Sequence, residues 1–188
     1  MYQAKRTVIG IFAYVDAGKT TLSESILYVS GAGRRQGSVD KRTSVLDSNE
    51  TERLRGITIF GSQASFSAGK HNFTLIDTPG HVDFSTEAER SMSVLDYAVL
   101  VISASEGIKP HTETLWKLLH RYSVPVFLFV NKCDLPNVGR KAITEQLCRK
   151  LSSGCIDLYG KNFTEEAALT DESLMDARKP SHPCAIYF

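Results

Sequence analysis

The stretch "AYVDAGKTTL", Ala13 to Leu22, decides the fold. It grows out of an apolar run, "TVIGIFAY" (7–14), that reads as a buried strand. It leads into a segment that places Leu22, Ile26 and Val29 on one helical face. Strand, loop and helix in this order, with Gly18, Lys19 and Thr20 at the junction, make a phosphate-binding loop. Successive N–H groups point inward around phosphates, and the helix adds its positive N-terminal end. The lysine reaches terminal phosphates and the hydroxyl binds Mg²⁺. The usual pattern opens on glycine, where this chain has Ala13. A small side chain suffices there if the backbone angles suit an L-residue, so alanine adds only one methyl group. Taken alone, a Gly-Lys pair that opens an ordinary helix is the alternative.

Two further motifs weigh against that alternative. "DTPGH" (77–81) follows the end of a predicted strand. Asp77 is placed to hold Mg²⁺ through water, and Gly80 can bring a bare N–H to a γ-phosphate. In isolation this would be a turn built from Asp, Pro and Gly. "NKCD" (131–134) follows a buried strand further on. Asp134 could accept two hydrogen bonds from the N1 and N2 edge of guanine, and Asn131 could bind N7 or the loop. Adenine would leave that carboxylate without its donors, a mismatch such a site penalises heavily. All three motifs sit at C-terminal strand ends, where open α/β sheets bind ligands.

The rest of the chain alternates strand and helix. "ITIFGSQASFS" (57–67) alternates every second residue, as an outer strand would. "HNFTLID" (71–77) follows a hairpin-like break at Gly69-Lys70. "YAVLVIS" (97–103) and "VPVFLFV" (124–130) are continuous apolar runs, expected of parallel strands covered on both faces. Helices are predicted over 112–122, with Leu115, Leu118, Leu119 and Tyr122 inward, and over 140–151, with Ile143, Leu147 and Leu151 inward. The class is α/β, with a mostly parallel doubly wound sheet, one antiparallel edge strand and helices on both faces. Residues 31–56 are polar and aperiodic, the mark of a functional loop. Residues 155–180 are acid-rich, with one helical stretch near 165–177, and read as an insertion before a last short strand, "CAIYF".

The totals set bounds. The 188 residues suffice for one domain, with 42 % apolar and 23 % charged content. A net charge of +1 gives no overall basic field, so DNA is not an expected partner. No apolar run approaches the about 20 residues of a membrane span. No secretory leader is legible. Cys133, Cys148, Cys155 and Cys184 show no metal-ligand spacing and read as thiols of a reducing cytoplasm. Arg34, Arg35, Lys41, Arg42, Arg53 and Arg55 cluster in the long loop, nearly offset by acids, as a solvated segment or a ribosomal RNA contact.

These residues resemble the GTP-binding domain of the translational GTPases, within the P-loop GTPase class. "AYVDAGKTTL", "RGITI" (55–59), "DTPGHVDF" (77–84) and "NKCD" are similar to the family's first motif, its two switch motifs and its guanine motif. The segment "GSVDKRTSVLDSNETERLRGITI" resembles elongation factor G, and most closely the tetracycline-resistance ribosomal protection group. The resemblance implies GTP or GDP as ligand, Mg²⁺ as cofactor, the ribosome as partner and a cytoplasmic location. It implies that Asp16, Ala17, Gly18, Lys19, Thr20, Thr21 and Gly80 line the phosphates. Thr20, Thr58 and Asp77 would serve the metal, His81 would orient the attacking water, and Asn131, Lys132 and Asp134 would read guanine. Hydrolysis is expected to be very slow without the ribosome.

Two departures stand out. Tyr14 replaces the histidine usual in that loop, and nucleotide binding is expected to survive the change. The family's fifth motif, a Ser-Ala pair behind the base, is expected to follow the last strand, and "PCAIYF" ends the sequence just before it, with the last helix of the domain missing too. The chain thus reads as a truncated GTP-binding domain, with weaker guanine affinity than the full-length family. The alternative function is a non-catalytic module that binds GDP or GTP weakly. An unrelated ATP-dependent kinase is a third reading, and "NKCD" speaks against it.

Overall fold

Alternation at period two assigns the apolar residues of the central strands to two opposite faces. The computed structural model of the chain describes residues 6–32, 62–78, 91–135, 139–153, 155–157 and 185–187. In β1 (Arg6–Ala13), Ile11 and Ala13 join one core cluster and Phe12 joins the other. In β4 (Tyr97–Ser103), Val99 and Val101 face the first cluster, and Ala98, Leu100 and Ile102 face the second. Phe129 and Leu128 divide in the same way in β5 (Val126–Asn131). Both faces therefore need covering, as the unbroken apolar runs require.

Helices cover them from both sides. Helix α1 (Lys19–Val29) lays Leu22 and Ile26 on the Ile11 and Val101 face. Helices α2 (Pro110–Arg121) and α3 (Arg140–Lys150) bring Leu115, Leu119, Ile143 and Leu147 to the Phe12 and Leu100 face. Pro110 opens α2, Glu113 lies in its first turn, and His120 and Arg121 lie in its last, in keeping with the helix dipole. Leu100, Leu119, Leu128 and Leu147 have no exposed surface. Burial of each stabilises the fold by about 1.5–3 kcal/mol.

The sheet runs β2-β3-β1-β4-β5-β7-β6, with β2 (Ser62–Ala68), β3 (His71–Asp77), β6 (Ile156–Asp157) and β7 (Ala185–Tyr187) completing it. Among the described residues only the β2–β3 pairing is antiparallel, and β2 is an edge strand. The chain winds outward from β1 in both directions. Asp77 pairs with Ile11, Ala13 with Val101 and Ser103 with Asn131. The C-terminal tips of β1, β3, β4 and β5 therefore open at one edge of the sheet.

Three details differ from the expected pattern. Val29 is 84 % exposed, and Leu27 is buried in its place. The buried face of α1 also carries Lys19, Ser23 and Glu24, so apolar periodicity alone misjudges its direction. Tyr122 is 39 % exposed and caps α2. The segment read as an insertion begins with β6, a two-residue strand that pairs in parallel with β7. Residues 31–56, apart from Gly31 and Ala32, and the helical stretch near 165–177 lie outside the described residues.

Candidate functional site

Left-handed backbone marks the loop after β1. Asp16 has φ 61° and Gly18 has φ 95°, whereas Ala13 is the last strand residue and is not among the positive-φ positions. The first position of the loop therefore asks for no glycine, and alanine fits it at 2 % exposure. Gly18 is different. A Cβ there would collide with the Asn131 side-chain nitrogen, and the φ itself disfavours an L side chain. Gly18→Ala is expected to destabilise the fold by about 1–2 kcal/mol from backbone strain alone. Chemical denaturation checks this, and an unchanged midpoint would contradict it.

Helix α1 starts directly after Gly18. Its first intrahelical bond runs from Leu22 N–H to Gly18 O, 3.0 Å. The N–H groups of Lys19, Thr20 and Thr21 precede it and lie at the positive end of the helix dipole. Asp16 and Thr21 are exposed on the rim, Thr20 is half-buried, and Ala17 is buried with its N–H donating to Tyr14 O at 3.2 Å. Lys19 turns inward. Its Nζ meets Asp77 Oδ1 at 2.5 Å, with the two side chains 8 % and 0 % exposed. The tips of β1 and β3 are thus joined by a buried ion pair. Next to it, Thr78 donates from both N–H (3.4 Å) and Oγ1 (2.7 Å) to Ile11 O, which fixes the path of the chain as it leaves β3.

A third tip reaches the same loop. Asn131 Nδ2 donates to Ala17 O at 2.9 Å, and Asn131 O accepts from Ala104 N–H at 2.8 Å. Lys132 adopts φ 61°, and Asp134 is exposed three residues past Asn131. Between them, burial and then the charge of Asp134 push the Cys133 thiol up, while Arg140 acts in the opposite sense. Lys19 with Asp77, and Ala17 and Gly18 with Asn131, are the predicted residues in direct contact. Thr58, Gly80 and His81 lie outside the described residues.

Several supporting residues escape sequence reasoning. Thr78 lies inside "DTPGH", yet nothing in that motif marks its double bond to β1. His111 sits 6.2 Å, ring to ring, from Tyr14, and burial lowers its pKa, so the tyrosine of the loop rests on the start of α2. Gln146 Oε1 accepts from Ile108 N–H at 3.3 Å, and Lys150 Nζ lies 3.5 Å from Ile108 O, so α3 holds the loop after β4 by both backbone groups of one residue. Long-range pairings of this kind leave no local pattern.

A parallel sheet wound both ways from β1, with a Gly-Lys-Thr loop at its central tip and Asp77 and Asn131 touching that loop, defines a nucleotide domain of the P-loop GTPase fold. Residues 4–179 match the elongation factor Tu GTP binding domain, and the chain belongs to that family of translational GTPases. Tetracycline resistance protein TetW of Butyrivibrio fibrisolvens is 41 % identical over 169 residues, covering 90 % of this chain and 26 % of the relative. Elongation factor G 2 of Streptomyces coelicolor is 50 % identical over 143 residues, covering 76 % and 21 %. The chain therefore spans about a quarter of the length of these relatives. Among solved structures, a Thermus thermophilus protein superposes with TM-score 0.76 at 28 % identity, over 81 % of this chain and 23 % of its own. Translation elongation factor SelB from Methanococcus maripaludis, solved with the GTP analogue GppNHp, gives TM-score 0.57 at 25 % identity, over 78 % and 26 %. No helix among the described residues is long and apolar enough to cross a membrane.

Proposed function

We propose that this chain is the GTP-binding domain of a ribosome-dependent GTPase, of the elongation factor G or ribosomal protection kind, acting in the cytoplasm. The observation that carries this reading is the meeting of three strand tips on one loop, through Lys19 with Asp77 and Ala17 with Asn131. Lys19 binds the β- and γ-phosphates, with Asp16, Ala17, Gly18, Thr20 and Thr21 around them. The triphosphate draws the ammonium away from Asp77. The Asp77 carboxylate, the Thr20 hydroxyl and Thr58 would hold the shell of a Mg²⁺ ion. A buried carboxylate at a helix N-terminus that already holds a cation suits such an ion. When bound, Mg²⁺ neutralises charge that develops on the phosphates. Asn131, Lys132 and Asp134 read guanine, and Asn131 also ties the base side of the site to the phosphate loop.

The reaction is in-line attack of water on the γ-phosphate, in which positioning and electrostatics do most of the work. His81 orients the water and Gly80 senses the γ-phosphate. Loss of that phosphate frees Thr58 and Gly80, and the switch segments relax. The test is phosphate release with and without ribosomes. Slow release alone and stimulation by ribosomes are expected, with His81→Ala lowering the stimulated rate about 10²-fold through misplaced water. GDP binding without any stimulated release would contradict the catalytic part. It would leave the domain as a non-catalytic nucleotide module.

A further inference from the structure

Away from the nucleotide loops, α3 ends beside a second thiol. Cys148 lies on α3 next to the core residue Leu147, and Cys155 follows seven residues later, just before β6. Both are partly buried, and neither is in a disulfide. The Cys148 thiol donates to the Cys155 carbonyl at 3.9 Å. The chain folds back on itself here, through Leu151 and Ser152 N–H groups to Leu147 O (2.9 and 3.4 Å) and Cys155 N–H to Ser152 O (3.2 Å). That return brings the two sulfur-bearing residues together and holds them at the end of one helix.

We propose that Cys148 and Cys155 form a dithiol site that low-molecular-weight disulfides oxidise to an intramolecular bridge. Burial is the largest influence pushing the Cys148 thiol up, and the neighbouring Cys155 acts in the same sense. Reaction begins when one thiol loses its proton to solvent and its sulfur attacks oxidised glutathione. The glutathione S–S bond breaks, one glutathione leaves as thiolate and takes up a proton, and a mixed disulfide forms. The second cysteine sulfur then attacks the protein sulfur of that adduct and releases the other glutathione. Two thiols and one disulfide become one protein disulfide and two glutathione thiols, with two electrons passed to the oxidant. Exposed Arg149 follows Cys148, and its charge favours an anionic oxidant such as glutathione.

The bridge would tether the end of α3 to β6, which pairs with β7, which in turn pairs with β5. The inference is independent of the nucleotide reading. The test is to incubate the purified chain with oxidised glutathione, block the remaining thiols at acid pH and map the peptides by mass spectrometry. The expected result is loss of two of the four thiols, a mass decrease of about 2 Da and a link between Cys148 and Cys155. A bridge to Cys133 or Cys184, a stable glutathione adduct in place of a bridge, or no thiol loss would overturn it. Phenylarsine oxide, which captures neighbouring dithiols, supplies a second readout on the unaltered chain. One equivalent bound and displaced by the prior bridge is expected, and no binding would contradict the proposal.

Discussion

Replacing Lys19 with methionine is expected to weaken GTP binding by about 10²-fold or more, through loss of a preorganised cation at the phosphates, and to destabilise the fold at the same time. The second effect follows from burial. Lys19 is 7 % exposed and faces a carboxylate with no exposed surface. Removing the cation leaves the Asp77 charge in the interior, which costs about 3–5 kcal/mol when one partner of a buried pair is deleted. Methionine keeps the length of the side chain, so little of that cost comes from a cavity. The double variant Lys19→Met with Asp77→Asn removes both charges and should recover much of the stability while recovering no nucleotide binding. Chemical denaturation of the three variants, with nucleotide titration alongside, separates the two roles. A single variant within about 1 kcal/mol of the parent, or a double variant no more stable than the single, would contradict the buried-pair account.

Asp134→Asn should change which base is bound. A carboxylate that accepts from guanine N1 and N2 makes two charge-assisted hydrogen bonds, each contributing about 1.5–3 kcal/mol. Loss of both corresponds to about 10²–10⁴ in affinity for GTP. Asparagine presents one acceptor and one donor, which suits xanthine, whose C2 carries an oxygen. The variant should therefore prefer xanthosine triphosphate to GTP. Stability should hardly move, because Asp134 is exposed in its loop. A variant that kept full GTP affinity would remove Asp134 from the base site.

Much of this arrangement is legible in the residues because each part announces itself locally. β3 and β4 span the very residues that the apolar runs mark, and β2, over Ser62–Ala68 of the alternating stretch read at 57–67, lies at the edge of the sheet as that alternation suggests. The loop residues Asp16 to Thr21 are legible because a Gly-Lys-Thr loop between strand and helix is a local pattern. The direction of α1 is not, because its buried side includes Lys19 and Glu24, which a count of apolar residues assigns to solvent. Nor are the joints. Lys19 to Asp77 spans 58 residues and Asn131 to Ala17 spans 114, and no local period encodes such pairs. β6 escapes notice because two residues give too short a run for alternation to register.

The most direct test of a single guanine nucleotide site built on these tips is competition for a fluorescent GDP analogue in the presence of Mg²⁺. GTP and GDP should displace the analogue, ATP should fail to do so even at about 100-fold excess, as a site hydrogen-bonded to one base demands, and Lys19→Met should lose binding of all of them. Displacement by ATP at the same concentration as GTP, or analogue binding that Lys19→Met leaves intact, would contradict the account.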